Sequence, residues 1–547
     1  MTALPRQAEA LVVGAGPTGL ALAITLKRHG IHCVVVDKLD APLPWSRALG
    51  LHARTLEILQ ALDVLKPVLE RSLVQRTVTV RNERGPLVEL DLGGLDGPVP
   101  GVLSCPQSEV EACLTDRLRA LGGSVVRATE LLDFHQHDEG VHVRLRDGGG
   151  EHELNCRMLV GCDGAHSRVR EQLGLRFDGV RQSDHFLLAD LDIDWDLDPY
   201  SSHGFLLARG ALIALPMPRG WRLVINQRDT ELSAGEEPTL APFRARLERA
   251  LGEAPALGEP WWLSRFSIHR RLASHYRRNM VFIAGDACHV QSPLGAQGMN
   301  TGIADAFNLG WKMALYIQGH GDGSLLDTYE RERRPVARSM LHTVDLLSRA
   351  SFARNGLLRR PRDWMLKVLG RQAWFRRRLV RRFSQLDVNY RTVASSLNLP
   401  PGLLKGPGPC PGDRVPDVKL VHPDGSYSQQ LQTLLRDPRH HLLVWLPDDS
   451  AHRARVSAYA LADRIWLDYG ERVAMTVTTP APLEPELADL REFNVSVLID
   501  RDGVFRRGFG DQNSLWMMRP DGHLAWRGRL READRLLQDM ERFFRRV

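Results

Sequence analysis

The chain has 547 residues, 43% hydrophobic and 25% charged, with a formal net charge of +6. That composition suits a globular protein of two to four domains and excludes a disordered or membrane-embedded one. The small basic excess has no recognised nucleic-acid motif beside it, so no nucleic-acid partner is expected. Seven cysteines, at 33, 105, 113, 156, 162, 288 and 410, form no CxxC pair, which argues against disulfides and zinc. No apolar run is long enough to span a bilayer and the N-terminus is not leader-like, so a cytoplasmic location is expected.

Ala8 to Val13 reads as a strand running into Gly14-Ala15-Gly16-Pro17-Thr18-Gly19. Leu20, Leu22, Ala23 and Leu26 then recur at helical spacing until Gly30, and Ile31 to Val36 forms a second strand ending at Asp37-Lys38. In such a βαβ unit the first glycine makes the turn, the second admits a pyrophosphate and the third lets helix and sheet touch. Asp37 is placed to accept from a ribose 2′-hydroxyl, which favours FAD or NAD over NADP. Arg47, in the Pro42 to Ala48 loop, can bond a pyrophosphate bidentately, and Arg54-Thr55-Leu56-Glu57 opens a helix.

Short strands follow at Thr77 to Arg81, Leu87 to Leu92 and Val102 to Ser104, then a helix from Pro106 to Leu121. A further strand ends at an Asp163-Gly164 turn before an arginine-rich helix. In Phe186 to Trp195, Gly204 to Pro216 and Trp221 to Asn226 apolar and polar residues alternate, as in a one-sided antiparallel sheet. Tyr200, His203, Phe205, Trp221, Arg222, Trp261 and Trp262 lie in or near it without a face that the pattern assigns. Val281 to Ile283 is a buried strand stopped by Gly285-Asp286. A loop with Pro293, Gly295 and Gly298 precedes a helix carrying Ile303, Ala306, Phe307, Leu309 and Gly310. Glycines ahead of a helix expose N–H groups, and the helix start adds partial positive charge.

Gly285-Asp286-Ala287-x-His289, Pro293-x-Gly295-x-x-Gly298-x-Asn300 and Asp305-Ala306-x-Asn308-Leu309 resemble the second FAD motif of the single-component aromatic hydroxylases, the group A flavoprotein monooxygenases. The resemblance implies an α/β fold with a Rossmann-like FAD-binding domain over 1–180 and 270–395. A substrate-binding sheet would be formed by 75–105 and 181–269. It implies FAD contacts from Gly14, Gly16, Pro17, Thr18, Gly19, Asp37, Lys38, Arg47, Gln107 and Asp163, with Asp286 accepting from the ribityl chain. The loop carrying Pro293, Gly295, Gln297, Gly298, Met299 and Asn300 would face the flavin pyrimidine. His289 is expected to be structural rather than a base, and no group that deprotonates the substrate is identified. The chain departs from the family at Asp37, where glutamate is usual, and at Cys162 and His166, where many relatives have alanine and arginine.

Leu325 to Pro335 resembles the end of the flavin core. A basic amphipathic helical region, Met340 to Phe383, comes next; helices packed across the flavin domain with arginines in water are expected there, not a membrane partner. Proline and glycine near residue 400 mark a boundary. Residues 400–547 resemble the thioredoxin-like tail of phenol-hydroxylase relatives; lacking CxxC, the tail is expected to serve packing or homodimerisation.

The implied reaction is hydroxylation of an aromatic substrate, a phenolic acid or a polyketide. NADH or NADPH and O2 are consumed, through a flavin C4a-hydroperoxide. A flavoprotein epoxidase or dehydrogenase, or a non-catalytic flavin-binding protein, is the alternative.

Overall fold

The computed structural model describes residues 4–45, 48–208, 210–228, 237–291, 295–351, 356–393, 408–447, 452–481 and 493–544. At its centre β1 (Gln7–Val13) pairs in parallel with β2 (Cys33–Val36) on one side and β3 (Gly150–Gly161) on the other; β4 (Val281–Ile283) continues beyond β3. The buried apolar runs Ala10–Val13 and Cys33–Val36 are what a parallel strand covered on both faces requires. Helix α1 (Pro17–Arg28) packs against α2 (Gln297–Ile317), and the approach is close because α2 turns glycines toward α1. A Cβ on Gly302 would collide with Thr18, and one on Gly310 would lie 2.6 Å from Thr25 Cγ2.

A second sheet of eight strands runs in the order 289–290, 262–273, 177–191, 221–228, 210–216, 201–207, 77–82, 85–91. Its pairings are antiparallel except between 201–207 and 77–82. The alternation at 186–226 predicts a sheet apolar on one side, yet both faces are apolar. Leu187, Ala189, Phe205, Trp221 and Leu223 pack with Phe243 and Leu247 of the helix Ala241–Leu251. One residue out of phase, Phe186, Leu188, Val224 and Phe266 form the other face with Ile213 and Trp262. Arg222 lies on this second face, paired with Asp190 at 2.8 Å and beneath Trp262. Tyr200 and Trp261 are exposed.

Helix α3 (Gly323–Ser351) is followed by α4 (Gly356–Leu369) and α5 (Ala373–Phe383). Leu379 and Val380 of α5 pack on Val78, Val80, Val88 and Leu90 of the second sheet. Among the described residues no helix is long and apolar enough to cross a membrane.

The C-terminal part builds a seven-stranded sheet in the order 428–430, 419–421, 496–499, 473–479, 440–445, 514–518, 524–529. Strands 440–445, 473–479 and 496–499 are parallel, while 514–518 and 524–529 are antiparallel additions. On one face Leu515, Met517 and Trp526 meet the helices His452–Tyr469 and Ala533–Phe543, and Trp311 of α2 joins them. On the other face Leu443, Trp445, Trp516 and Met518 belong to the same hydrophobic cluster as β1 and α1. The tail is therefore continuous with the central core.

Candidate active site

The carboxyl ends of β1, β2, β3 and β4 lie side by side, and each of the sequence markers leaves from one of them. Gly14 N donates to Val36 O at 2.8 Å, Cys162 N to Val13 O at 2.7 Å and Ala284 N to Gly161 O at 2.9 Å, so the ladder is zipped to its end. Ligands of open α/β sheets bind at this edge.

The three glycines of the first turn have distinct physical jobs. Gly14, at φ +105°, has no room for a side chain against Cys162 O, and a Cβ on Gly19 would collide with Gly14 O. Among the described residues nothing lies within 4 Å of a Cβ built on Gly16, so that position opens on unfilled space at the start of α1. The helix has Gly16 as N-cap, Pro17 in its first turn, no side-chain cap and no acidic residue there. Its first N–H groups are free for an anion. Thr18 is spent on packing against Gly285 and Gly302.

Asp37 is held beside this turn. Its Oδ2 accepts from Ala15 N at 2.7 Å and its Oδ1 from Leu39 N at 2.9 Å, with Arg127 at 3.8 Å; Lys38 is exposed. Gln107 donates to Glu111 at 2.8 Å, and burial raises the Glu111 carboxyl above its usual value. On β3's loop, Asp163 Oδ2 accepts from Val169 N at 3.2 Å, while Oδ1 is buried without a hydrogen-bond partner. Burial raises this carboxyl too. Burial also pushes the Cys162 thiol far up, which makes it unreactive. Asp286 is exposed between buried Gly285 and Ala287.

The start of α2 repeats the pattern of α1. Gly295 (φ +81°) and Ala296 (φ +52°) both take left-handed backbone, and α2 has neither a side-chain cap nor an acid in its first turn. Gly298 faces open space, with only Gln291 Nε2 at 4.0 Å from a Cβ there. The side-chain amides of two residues here are spent on the protein. Gln297 Nε2 donates to Gly295 O and Phe383 O, and its Oε1 accepts from Gln385. Asn300 Nδ2 donates to Gly50 O and Ala296 O, and its Oδ1 accepts from His52 N. Both amides are saturated by the protein, so Gln297 offers a ligand only its main chain at the helix start, as do Gly298 and Met299. Arg47 and Pro293 lie outside the described residues.

His289 Nε2 meets Asp305 Oδ2 at 2.8 Å, and Arg333 Nε meets Asp305 Oδ1 at 2.6 Å, all of them buried. Burial alone would raise the Asp305 carboxyl, but Arg333 and His289 hold it below its usual value. The histidine is tied into an ion-pair cluster under α2, as a structural role requires. His52 was not singled out by its sequence context. It is buried, meets Gly295 O at 2.8 Å, and burial lowers its pKa.

The arrangement fits one extended dinucleotide. Two uncapped helix starts share one sheet edge, Gly16 leaves an open cradle between strand and helix, and Asp163 holds a buried oxygen without a partner.

Residues 7–344 match the family model described as FAD binding domain. The chain is 32% identical to 6-methylpretetramide 4-monooxygenase of Streptomyces rimosus over 539 residues, 95% of this chain and 90% of the relative. It is 30% identical to pentachlorophenol 4-monooxygenase of Sphingobium chlorophenolicum over 544 residues, 98% and 96% of the two chains. Among solved structures, the anhydrotetracycline hydroxylase OxyS of Streptomyces rimosus superposes with a TM-score of 0.76 at 30% identity, covering 98% of this chain and 99% of that one. The chain belongs to the FAD-binding-domain family, in its branch of flavin-dependent aromatic monooxygenases.

Proposed function

We propose that this protein hydroxylates a phenolic ring, in a polycyclic substrate ahead of a single-ring one, using FAD, O2 and NADH or NADPH. Two relatives named for tetracycline-type substrates favour the polycyclic choice; the chlorophenol relative keeps the smaller ring as second reading. The observation that carries the reading is the pair of uncapped helix starts on one sheet edge.

In this reading Asp37 accepts from the adenosine ribose with Lys38 beside it, and Gly14, Gly16, Pro17, Thr18 and Gly19 shape the pyrophosphate turn with Arg47. Gln107 and Asp163 line the same side, and Asp286 accepts from the ribityl chain. The main chain from Gly295 to Asn300 would border the pyrimidine ring. FAD, when bound, supplies the electron transfer and oxygen activation. The protein's part is to bind and orient. The α1 start would place positive partial charge at the pyrophosphate, and the α2 start would do the same beside the ring system. The apolar face with Phe186, Phe266 and Trp262 would help to keep water away. One oxygen atom enters the ring and the other leaves as water, with the nicotinamide cofactor oxidised.

Residues 408–544 we read as a thioredoxin-like module. Its last two strands lie antiparallel beside the first of three parallel strands, the arrangement expected of that fold. Without CxxC its role is packing, and homodimerisation is open to the same reading.

Incubation of the purified yellow protein with NAD(P)H, 18O2 and a panel of phenols is the test. A product heavier by one labelled oxygen supports hydroxylation. Cofactor oxidation that yields only hydrogen peroxide, with every phenol unchanged, would sink it.

A further inference from the structure

The positive charge of this chain is concentrated in one place. Residues 356–383 carry ten Lys and Arg against one acid, Asp363, whereas the other residues hold 62 basic and 65 acidic side chains. The surplus thus belongs to α4 and α5 and is reversed elsewhere.

Their inner sides are fixed. Leu379 and Val380 pack on the second sheet, Asp363 accepts from Asn82 Nδ2 at 2.8 Å, and Arg362 is buried beside it. The outer sides carry apolar residues that are uncovered among the described residues: Trp364 is 69% exposed, Trp374 61%, Met365 46% and Val368 39%. The sequence pattern predicts these tryptophans on a packing face; the fold turns them outward because Leu379 and Val380 already fill the contact with the sheet. Trp364 and Val368 stand one turn apart, with Arg360 and Lys367 at neighbouring helical positions and Arg371 in the turn just after the helix, and Trp374 has Arg377 and Arg378 a turn further on. Those five cations are exposed and have no acidic partner among the described residues; Arg359, Arg381 and Arg382, in contrast, pair with Glu83, Asp96 and Asp387.

We propose that α4 and α5 form a docking face for an anionic lipid bilayer. Tryptophan prefers the headgroup level of a bilayer, where its ring is apolar and its N–H wet. Exposed Arg and Lys around it attract anionic headgroups. Helices of 14 and 11 residues are too short to span, so the contact is peripheral. A second copy docking through this same patch about a two-fold axis would bring the two cationic clusters together. The association goes beyond the redox chemistry and does not depend on it.

The FAD-loaded full chain is sedimented with vesicles of phosphatidylcholine alone and of phosphatidylcholine with phosphatidylglycerol. Binding to the second only, weakened by added salt, is expected. Replacing Arg360, Lys367 and Arg371 together by Gln should lower the partition coefficient by about 100-fold, roughly fivefold per cation. Trp364→Ala with Trp374→Ala should weaken binding at low salt, and both variants should keep bound flavin and NAD(P)H oxidation. Failure of the parent to bind anionic vesicles overturns the proposal, as does equal binding to both vesicle types or undiminished binding by both variants. A shift from dimer to monomer in the tryptophan variant, without vesicle binding by the parent, assigns the face to a second copy instead.

Discussion

Arg519 and Glu332, 187 residues apart, form a two-pronged ion pair, Nη1 to Oε1 at 2.8 Å and Nη2 to Oε2 at 2.9 Å, with each side chain 1% exposed. Lys312 Nζ and Asn308 Nδ2 of α2 also donate to Glu332, at 2.7 and 2.8 Å, and Asn308 donates to Asp521 at 3.1 Å. One carboxylate on α3 thus ties the helix at the proposed flavin site to the C-terminal sheet.

Glu332→Ala should destabilise the protein by about 3–5 kcal/mol, because it leaves Arg519 and Lys312 buried with less counter-charge. Denaturant unfolding measures it, and an unchanged midpoint would show that the network contributes nothing. Burial opposes ionisation of Glu332, but Arg519 and Lys312 bring its pKa down to about 2, from 4.5 when unfolded. A depressed acid stabilises fully above the unfolded value. The contribution should therefore be lost as pH falls from about 4.5 toward 2, and the alanine variant should lack that part of the acid transition.

Gly16 and Gly19 separate ligand binding from folding. Gly16 has φ −74° and open space at its Cβ position, so Gly16→Ala should leave the melting temperature of flavin-free protein unchanged while weakening FAD binding about tenfold or more. Gly19→Ala meets Gly14 O and should cost about 1–3 kcal/mol even without flavin. Titrating FAD into stripped protein and melting it distinguishes the two; equal loss of stability in both variants would remove Gly16 from the proposed pyrophosphate turn.

Asp417 predicts an opposite pH slope. Burial, with Glu57 and Asp96 nearby, raises its carboxyl from 3.8 to about 6, although Gln432 N and Arg414 pull the other way. A raised acid favours the folded state when protonated, and that contribution is lost as pH rises through about 6. Asp417→Asn should therefore be more stable relative to the parent at pH 7 than at pH 4. Urea midpoints at the two pH values check this, and an equal difference at both would refute the raised pKa.

Asn300 locks the turn before α2 to the strand segment Gly50–Leu51. Asn300→Leu removes the acceptor for His52 N, which is buried, and the donor to Gly50 O, which is part-buried. A loss of about 1–3 kcal/mol is expected, together with faster flavin release. Stopped-flow transfer of FAD to an acceptor apoprotein gives the rate; stability loss with normal release would confine the residue to folding.

Much of the site was legible from local pattern. Gly14 to Asp37 and Val281 to Gly310 read correctly as strand, turn and helix because steric demands on glycine and the burial period of a helix act within a few residues. The sheet faces were not legible, since alternation fixes which residues share a face but not what covers it; Phe205 and Trp221 went to the Ala241–Leu251 helix and Trp262 to the other side.

By itself, the sequence determined the order of strands and glycine turns and their resemblance to a flavin-binding family, because these depend on backbone geometry and short-range periodicity. Only the tertiary structure decided that Gln297 and Asn300 spend their amides on the protein, that Trp364 and Trp374 point outward, and that Glu332 meets Arg519. Such pairings depend on which surfaces are left open once the cores have closed, and that is settled by packing between segments hundreds of residues apart.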